Sequence, residues 1–197
     1  MKGIVTIANL CTNRKKICYS MEELMAKILF SEHEIEKKVA DLAEVISSEY
    51  KNKDFILIGV MNGAFMFTSD LAKALWKKGC IECKIDFIGI SSYSEGRESS
   101  RNPKITKDMS VDPLNKDVII VEDIIETGWS IKILIDILND RGAKSVKTVV
   151  LLDKPGKRET EFTPDFVGFT VPDDVWVEGY GLDTDNKGRG NPELIAR

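Results

Sequence analysis

The most informative hydrophobic pattern of the chain lies in residues 118–138. Four β-branched residues stand in succession at positions 118–121, which is typical of a strand buried on both faces. From Ile131 to Leu138, apolar residues recur at spacings of three and four, which predicts one face of a helix. The polar residues between these segments therefore predict a loop that connects a buried strand to an amphipathic helix.

The alternation of strand and helix patterns continues along most of the chain. Ser31 is a candidate N-cap for an amphipathic helix, because Glu34 stands three residues later as in a capping box. Further strands are predicted at residues 55–60, 83–90, 146–152, 164–169 and 175–180, and a further helix at residues 64–75. Strands that alternate with helices predict an α/β fold with a central, mostly parallel sheet flanked by helices.

The loop after the central strand carries a dense set of polar side chains. Glu122 and Asp123 are adjacent acids at the carboxyl end of the strand, the edge at which ligands bind in open α/β sheets. Thr127, Gly128 and Ser130 precede the helix, whose free N–H groups and positive end suit a phosphate. Sugar hydroxyls or hydrated Mg²⁺ would relieve the repulsion between the two acids. The loop predicts a phosphorylated-sugar site, and the alternative is solvated acids with Ser130 as an N-cap.

Composition and charge narrow the classes of partner. The chain has 197 residues, enough for one domain with a substantial core. It carries 28 Lys and Arg against 32 Asp and Glu, a net charge of −4 that argues against a nucleic-acid or membrane-surface partner. No apolar run has transmembrane length, and no signal-peptide pattern stands at the N-terminus. A cytoplasmic protein is the expectation.

Residues 118–130, VIIVEDIIETGWS, resemble the phosphoribosyl-pyrophosphate (PRPP) binding motif of type I phosphoribosyltransferases. The Glu-Asp pair followed by Ile-Ile, an acid and Thr-Gly is closest to the hypoxanthine-guanine branch. The resemblance runs from about Glu34 to Arg189 and implies the type I fold with a small β-rich hood. It implies a single domain over residues 1–197, with a core at about 34–155 and a hood from the N-terminus and about 156–197.

The family activity that this resemblance implies is purine salvage. The 5-phosphoribosyl group passes from PRPP to hypoxanthine or guanine, with Mg²⁺ as cofactor, and the products are IMP or GMP and pyrophosphate. The bond to pyrophosphate breaks early, so the ribose carbon becomes oxocarbenium-like, and the protein mainly positions the reactants and places charge. The partners implied are PRPP and a 6-oxopurine base, without nucleic acid or membrane, in a homodimer or homotetramer.

The resemblance also implies roles for individual residues. The residues implied to bind the ribose hydroxyls are Glu122 and Asp123, and the residues implied to bind the 5-phosphate are Glu126, Thr127, Gly128, Trp129 and Ser130. The residues implied to bind the purine are Lys154, Trp176 and Val177, and the residues implied to bind pyrophosphate are Asn62, Gly63 and Arg189. Glu126 would manage the proton on purine N7, and Glu122, Asp123 and Asp183 would lie near Mg²⁺. The turn at Asn62 often contains a non-proline cis peptide in the family.

Three positions depart from the family pattern. Glu126 stands where relatives have aspartate and is one methylene longer, Trp129 stands where they have smaller or basic residues, and Asn62 replaces a lysine. Residues 94–116 show little periodicity and predict a long irregular loop, with a surface hairpin as the alternative. Ser92 and Tyr93 match a Ser-Tyr pair of a flexible lid that closes over PRPP and excludes water.

Two other functions stay open from the sequence. One is a xanthine-preferring 6-oxopurine phosphoribosyltransferase, because backbone contacts decide among the bases. The other is a non-catalytic regulator on the same fold that senses PRPP or a nucleotide and binds nucleic acid. The short, acidic chain argues against the regulator. The absence of GxxxxGK[ST] excludes a P-loop enzyme, and the absence of GxGxxG after a strand leaves a dinucleotide enzyme little support.

Overall fold

The computed structural model describes residues 27–93 and 99–197. The strands are β1 (Lys27–Phe30), β2 (Phe55–Met61), β3 (Cys83–Tyr93), β4 (Ser99–Lys107), β5 (Asp117–Ile125), β6 (Ser145–Asp153), β7 (Phe166–Thr170), β8 (Val177–Glu178) and β9 (Leu194–Ala196). The helices are α1 (Glu32–Tyr50), α2 (Phe65–Lys77) and α3 (Trp129–Asp140), and a 3₁₀ turn (Pro155–Lys157) follows β6. No helix in this described part of the chain is long and apolar enough to cross a membrane.

The larger sheet carries the loops that matter for function. Its strand order is β4-β3-β2-β5-β6-β7. All neighbours are parallel except β4, which runs antiparallel to β3. Since β2, β5 and β6 are adjacent and parallel, the loops that follow them emerge at the same edge of the sheet. The predicted α/β fold with a central, mostly parallel sheet is confirmed.

Helices cover both faces of this sheet, which explains the unbroken apolar runs. Alternate residues of β2 and β5 enter two different cores. One core, with α1 and α2, includes Phe55, Leu57, Ile119 and Val121. The other, with α3, includes Ile56, Ile58, Val118 and Ile120. The run at 118–121 is therefore a strand buried on both faces, as predicted.

The helix boundaries follow the local chemistry of the sequence. The capping box at the start of α1 is present, with Ser31 and Glu34 each hydrogen-bonded to the other's backbone N–H. Helix α3 begins at Trp129, one residue before the predicted start, and its N-cap is Gly128 with a φ of 87°. Gly142 follows the end of α3 with a φ of 78°, the left-handed conformation that ends many helices.

The expectation of an irregular loop over residues 94–116 is wrong for β4. Residues 99–107 form an edge strand that pairs with β3, which is the hairpin alternative, and residues 94–98 lie outside the described residues. Residues 104–107 are exposed. An exposed edge strand needs no apolar alternation, so its sequence carries no strand period.

The small sheet joins segments that are far apart in sequence. Its order is β1-β9-β8, all antiparallel, so residues before α1 pair with the C-terminal segment. Strand β7 instead extends the larger sheet, although its residues fall within the range 156–197 assigned to the hood. Residues 1–26, also assigned to the hood, lie outside the described residues, and the division into core and hood stays a prediction.

Candidate active site

A cleft of about 550 Å³ opens at the carboxyl edge of the larger sheet. The loops after β2, β5 and β6 form its walls, together with residues near β8. The predicted site residues that line it are Asn62, Gly63, Glu122, Asp123, Glu126, Thr127, Gly128, Ser130, Lys154, Trp176, Val177, Asp183 and Arg189. Ser92 and Tyr93 form the end of β3, and their side chains lie outside the described part of the structure.

Glu122 and Asp123 form a pair of carboxyl groups at the base of the cleft. Burial is the main cause that raises the pKa of Glu122, and the neighbouring Asp123 carboxylate raises it further. Burial also raises the pKa of Asp123, although hydrogen bonds from the Glu122 side chain and the Ile124 N–H counteract this. The pair therefore favours keeping a proton, and sugar hydroxyls or a cation would stabilise its ionised form.

Close backbone packing holds Asp123 in place. A Cβ atom built on Gly63 would lie 1.6 Å from Asp123 Oδ2, so any other residue there would displace the Asp123 carboxylate. The preceding Met61–Asn62 peptide is cis, as the resemblance implied for this turn. Gly181 has a φ of 103°, and a Cβ there would lie 1.9 Å from the carbonyl oxygen of Gly63. Two loops and the end of β5 thus meet at distances that added side chains would disturb.

Residues 158–160 fix the shape of the loop before α3. The Arg158 guanidinium donates a hydrogen bond to the Glu126 carbonyl at 2.6 Å. The Glu159 N–H donates to the Thr127 carbonyl at 3.0 Å, and the Thr160 hydroxyl donates to the same oxygen at 3.3 Å. The loop carbonyls are therefore bonded to the segment behind them, while Thr127, Gly128 and Ser130 line the cleft beside the amino end of α3.

Trp129 differs from the other predicted 5-phosphate residues. Its indole N–H donates to Glu159 Oε2 at 3.0 Å, and its ring lies 5.8 Å from the Lys132 ammonium. The residue is not among those that line the cleft. A phosphate role for Trp129 therefore falls to its backbone N–H, in the first turn of the helix, because the bulky side chain packs elsewhere.

Glu126 is held by two lysines through one carboxylate oxygen. Lys154 Nζ donates to Oε1 at 2.8 Å and Lys157 Nζ at 3.0 Å. Burial alone would raise the pKa of Glu126, but the hydrogen bonds from the two lysines outweigh it and hold the pKa below its usual value. Glu126 is therefore ionised in this site.

Lys154 is a buried cation with a fixed direction. Its side chain is only 2% exposed, and Nζ also donates to the Val175 carbonyl at 2.8 Å. An ammonium has three donors and no acceptor, so one N–H remains beyond the bonds to Glu126 and Val175. Trp176 is 43% exposed, and Val177 is buried at the start of β8. The predicted purine residues therefore lie on one wall of the cleft.

Another part of the cleft carries an ion pair. Arg189 Nη2 lies 2.6 Å from Asp183 Oδ1, and its Nη1 donates to the Gly181 carbonyl at 2.7 Å. Because Gly181 touches Gly63, the ion pair lies beside the turn that contains Asn62. The predicted pyrophosphate residues are thus gathered at one place.

The predicted magnesium ligands fit a shared rather than an all-protein site. Among the described residues, no group of three or more His, Cys, Asp or Glu side chains is arranged to hold a metal ion. Asp183 is engaged by Arg189. Mg²⁺ usually takes one or two carboxylates and completes its shell with water and substrate phosphates, and Glu122 and Asp123 fit that pattern.

Several residues that shape the site were not predicted from the sequence. They are Lys157, Arg158, Glu159, Thr160 and Thr184. The signal available for the first of them was the basic cluster in residues 154–158, directly after a strand that ends at the ligand-binding edge. Lys157 and Arg158 bond to a residue about thirty positions earlier in the sequence, and no local sequence pattern indicates contacts over that separation.

Comparison with known proteins gives a consistent assignment. The model of the phosphoribosyl transferase domain matches residues 25–185. The hypoxanthine-guanine phosphoribosyltransferase of Bacillus subtilis (strain 168) is 41% identical over 174 residues, covering 88% of this chain and 94% of that protein. A crystal structure of a hypoxanthine phosphoribosyltransferase from Staphylococcus aureus aligns with a TM-score of 0.81 at 34% identity, covering 92% of this chain and 96% of the other.

Some relatives are much longer. The bifunctional protein TilS/HprT of Listeria monocytogenes serotype 4b (strain F2365) is 39% identical over 175 residues, which are 89% of this chain. The match spans only 26% of that protein, so this chain corresponds to about a quarter of its length. On the extent of the family match and the identity to full-length relatives, the chain belongs to the phosphoribosyltransferase family, in the branch of the hypoxanthine-guanine phosphoribosyltransferases.

Proposed function

We propose that this chain transfers the 5-phosphoribosyl group of PRPP to hypoxanthine or guanine in purine salvage. The observation that carries the proposal is Lys154, a buried ammonium that shares one cleft with the Glu122–Asp123 pair and the amino end of α3. Since an ammonium only donates hydrogen bonds, it matches the exocyclic oxygen of a 6-oxopurine and mismatches the amino group of adenine.

Each part of PRPP has a matching part of the cleft. The backbone and hydroxyls of residues 127–130 suit the 5-phosphate, and the Glu122–Asp123 pair suits the two ribose hydroxyls. Arg189 would bind the pyrophosphate, with the backbone of Asn62 and Gly63. The exposed ring of Trp176 would stack on the purine, and the backbone of Val177 would contact the edge of the base.

In this proposal, a small number of side chains carry out the steps of the transfer. The C1–oxygen bond to pyrophosphate breaks, and a purine nitrogen forms the new bond to C1. Glu126 accepts the proton of N7, for which its carboxylate must be ionised, and Lys154 holds the base through its oxygen. Ser92 and Tyr93 are proposed as part of a lid that excludes water from the sugar cation.

The proposal includes Mg²⁺, held with PRPP by Glu122 and Asp123. When bound, the ion supplies positive charge that offsets the charge of the leaving pyrophosphate. Asp183 would act near it through its ion pair with Arg189. A homodimer or homotetramer and a cytoplasmic location are further parts of the proposal that rest on the family.

The direct test of the transfer is pyrophosphate release from PRPP and hypoxanthine. With Mg²⁺ present, we expect turnover that requires both substrates, and with EDTA in excess over the metal we expect turnover to fall to background. Restoring Mg²⁺ beyond the chelator should recover the rate. Turnover that persists in EDTA would contradict the metal's role, and no turnover under any of these conditions would contradict the proposed function.

A further inference from the structure

The side chain of Trp176 has a hydrogen bond that phenylalanine, which has no N–H or O–H on its ring, could not form. The indole N–H donates to Thr184 Oγ1 at 2.9 Å. The two residues belong to different segments, because Trp176 directly precedes β8 and Thr184 lies in the turn that contains Asp183. One edge of an otherwise half-exposed ring is thereby fixed, while its face remains open to the cleft.

Thr184 is itself held in a defined direction. Its side chain lies near the Glu178 carboxylate, whose pKa is lowered mainly by Arg197 and further by Thr184. Glu178 is 6% exposed and pairs with Arg197, whose guanidinium nitrogens lie 2.8 and 3.2 Å from its two oxygens. The backbone of Thr184 is closed by two hydrogen bonds with Lys187, each 3.1 Å long. The turn that carries the acceptor of the indole bond is therefore held in place.

The backbone on both sides of the ring is tied as well. The Arg197 N–H donates to the Trp176 carbonyl at 2.9 Å, and Lys154 Nζ donates to the Val175 carbonyl at 2.8 Å. With the main chain fixed at both peptides, rotation of the side chain is the main freedom left to Trp176. The bond to Thr184 removes that freedom.

We propose that Thr184 is a positioning residue for purine binding, acting through the indole N–H of Trp176. The inference rests on the proposed function, in which the Trp176 ring stacks on the base. A ring already held in the stacking orientation loses less conformational freedom when the purine binds, so the bond strengthens purine binding without touching the purine.

The test measures the KM for hypoxanthine in Thr184→Val and Thr184→Ser, each also in a Trp176→Phe background. Valine keeps the shape of threonine and removes the hydroxyl, so we expect KM for hypoxanthine to rise about 2- to 10-fold, the net worth of one hydrogen bond. We expect kcat and the KM for PRPP to stay within about twofold. Serine keeps the hydroxyl and should match the unmodified chain.

The Trp176→Phe background separates this role from a general structural one. Phenylalanine has no N–H, so Thr184→Val should add no further rise in the KM for hypoxanthine there. An equal rise in both backgrounds, or no rise with Trp176 present, would overturn the inference. Tryptophan emission of the unliganded protein gives a readout without turnover, because Thr184→Val should change it only when Trp176 is present. If the unmodified chain forms no nucleotide, the proposed function fails. If the tryptophan emission of Thr184→Val equals that of the unmodified chain, the hydrogen bond between Trp176 and Thr184 does not position the ring.

Discussion

Replacing Glu126 with glutamine is expected to lower kcat about 10²- to 10⁴-fold, the usual contribution of a positioned acid or base. Glutamine keeps the length of the side chain and an oxygen that can still accept from Lys154 and Lys157. It cannot take the N7 proton as a carboxylate does. The loss should therefore appear in kcat with hypoxanthine and PRPP at saturation. The unfolding temperature should fall as well, because the buried Lys154 ammonium loses its counter-charge, so kcat is measured well below that temperature.

Glu161→Gln is the matched control for this change. Glu161 is exposed and lies outside the cleft, so this variant makes the same chemical change away from the site. We expect its kcat to stay within twofold of that of the unmodified chain. A Glu126→Gln variant that keeps more than a tenth of the unmodified kcat would exclude Glu126 as the group that accepts the proton.

Lys157 supplies a second measurement on the same carboxylate. Hydrogen bonds from Lys154 and Lys157 lower the pKa of Glu126, so Lys157→Met should raise it. Because the ionised form is needed to accept a proton, the acid limb of the kcat/KM profile should move to higher pH, and activity should be lost first at low pH. Lys157→Arg should leave the limb closer to its original position. An acid limb unmoved in Lys157→Met would mean that Glu126 does not set it.

Gly63→Ala is expected to lower kcat/KM about 10²-fold. The added Cβ would lie 1.6 Å from Asp123 Oδ2, so the carboxylate must leave its place against the ribose site. A displacement of about 1 Å in a catalytic site costs on the order of 10²-fold in rate. The short Asp123 side chain can turn away at modest cost in stability, so activity should fall much more than the unfolding temperature.

Gly190→Ala is the control for Gly63→Ala. Gly190 also lies in a loop near the cleft, but a Cβ there would meet nothing within 4 Å. We expect kcat/KM within about twofold of the unmodified chain. If both alanine variants lose activity equally, loop flexibility would explain the loss and the contact with Asp123 would not.

Much of the fold could be predicted from hydrophobic periodicity and helix-capping residues in the sequence. The β-branched run at 118–121 predicted the central strand, and the spacing from Ile131 to Leu138 predicted the helix after it. The capping box at Ser31 located the start of α1 to the residue. These features depend on neighbours in sequence, which is why periodicity and caps suffice to predict them.

Other features depend on contacts between distant segments. Strand β4 is an edge strand whose described side chains, residues 104–107, are exposed, so its pairing with β3 has no hydrophobic period to indicate it. The pairing of β1 with β9 joins residues more than 160 positions apart, as with Lys27 and Ala196. Of the site, the Glu-Asp pair and the loop after it were predicted through the motif, whereas the bonds from Lys157 and Arg158 arise only from the fold.

The most direct test of the proposed function is nucleotide formation from PRPP and Mg²⁺ with hypoxanthine, guanine, xanthine and adenine in parallel. The proposed site predicts IMP and GMP from the first two and no product from adenine, because the buried Lys154 ammonium only donates hydrogen bonds and would pair with an exocyclic oxygen. If xanthine is converted faster than hypoxanthine and guanine, the xanthine-preferring alternative is supported. Product from adenine at a comparable rate, or no product from any base although PRPP binds, would contradict the account, and the second result would favour a non-catalytic regulator.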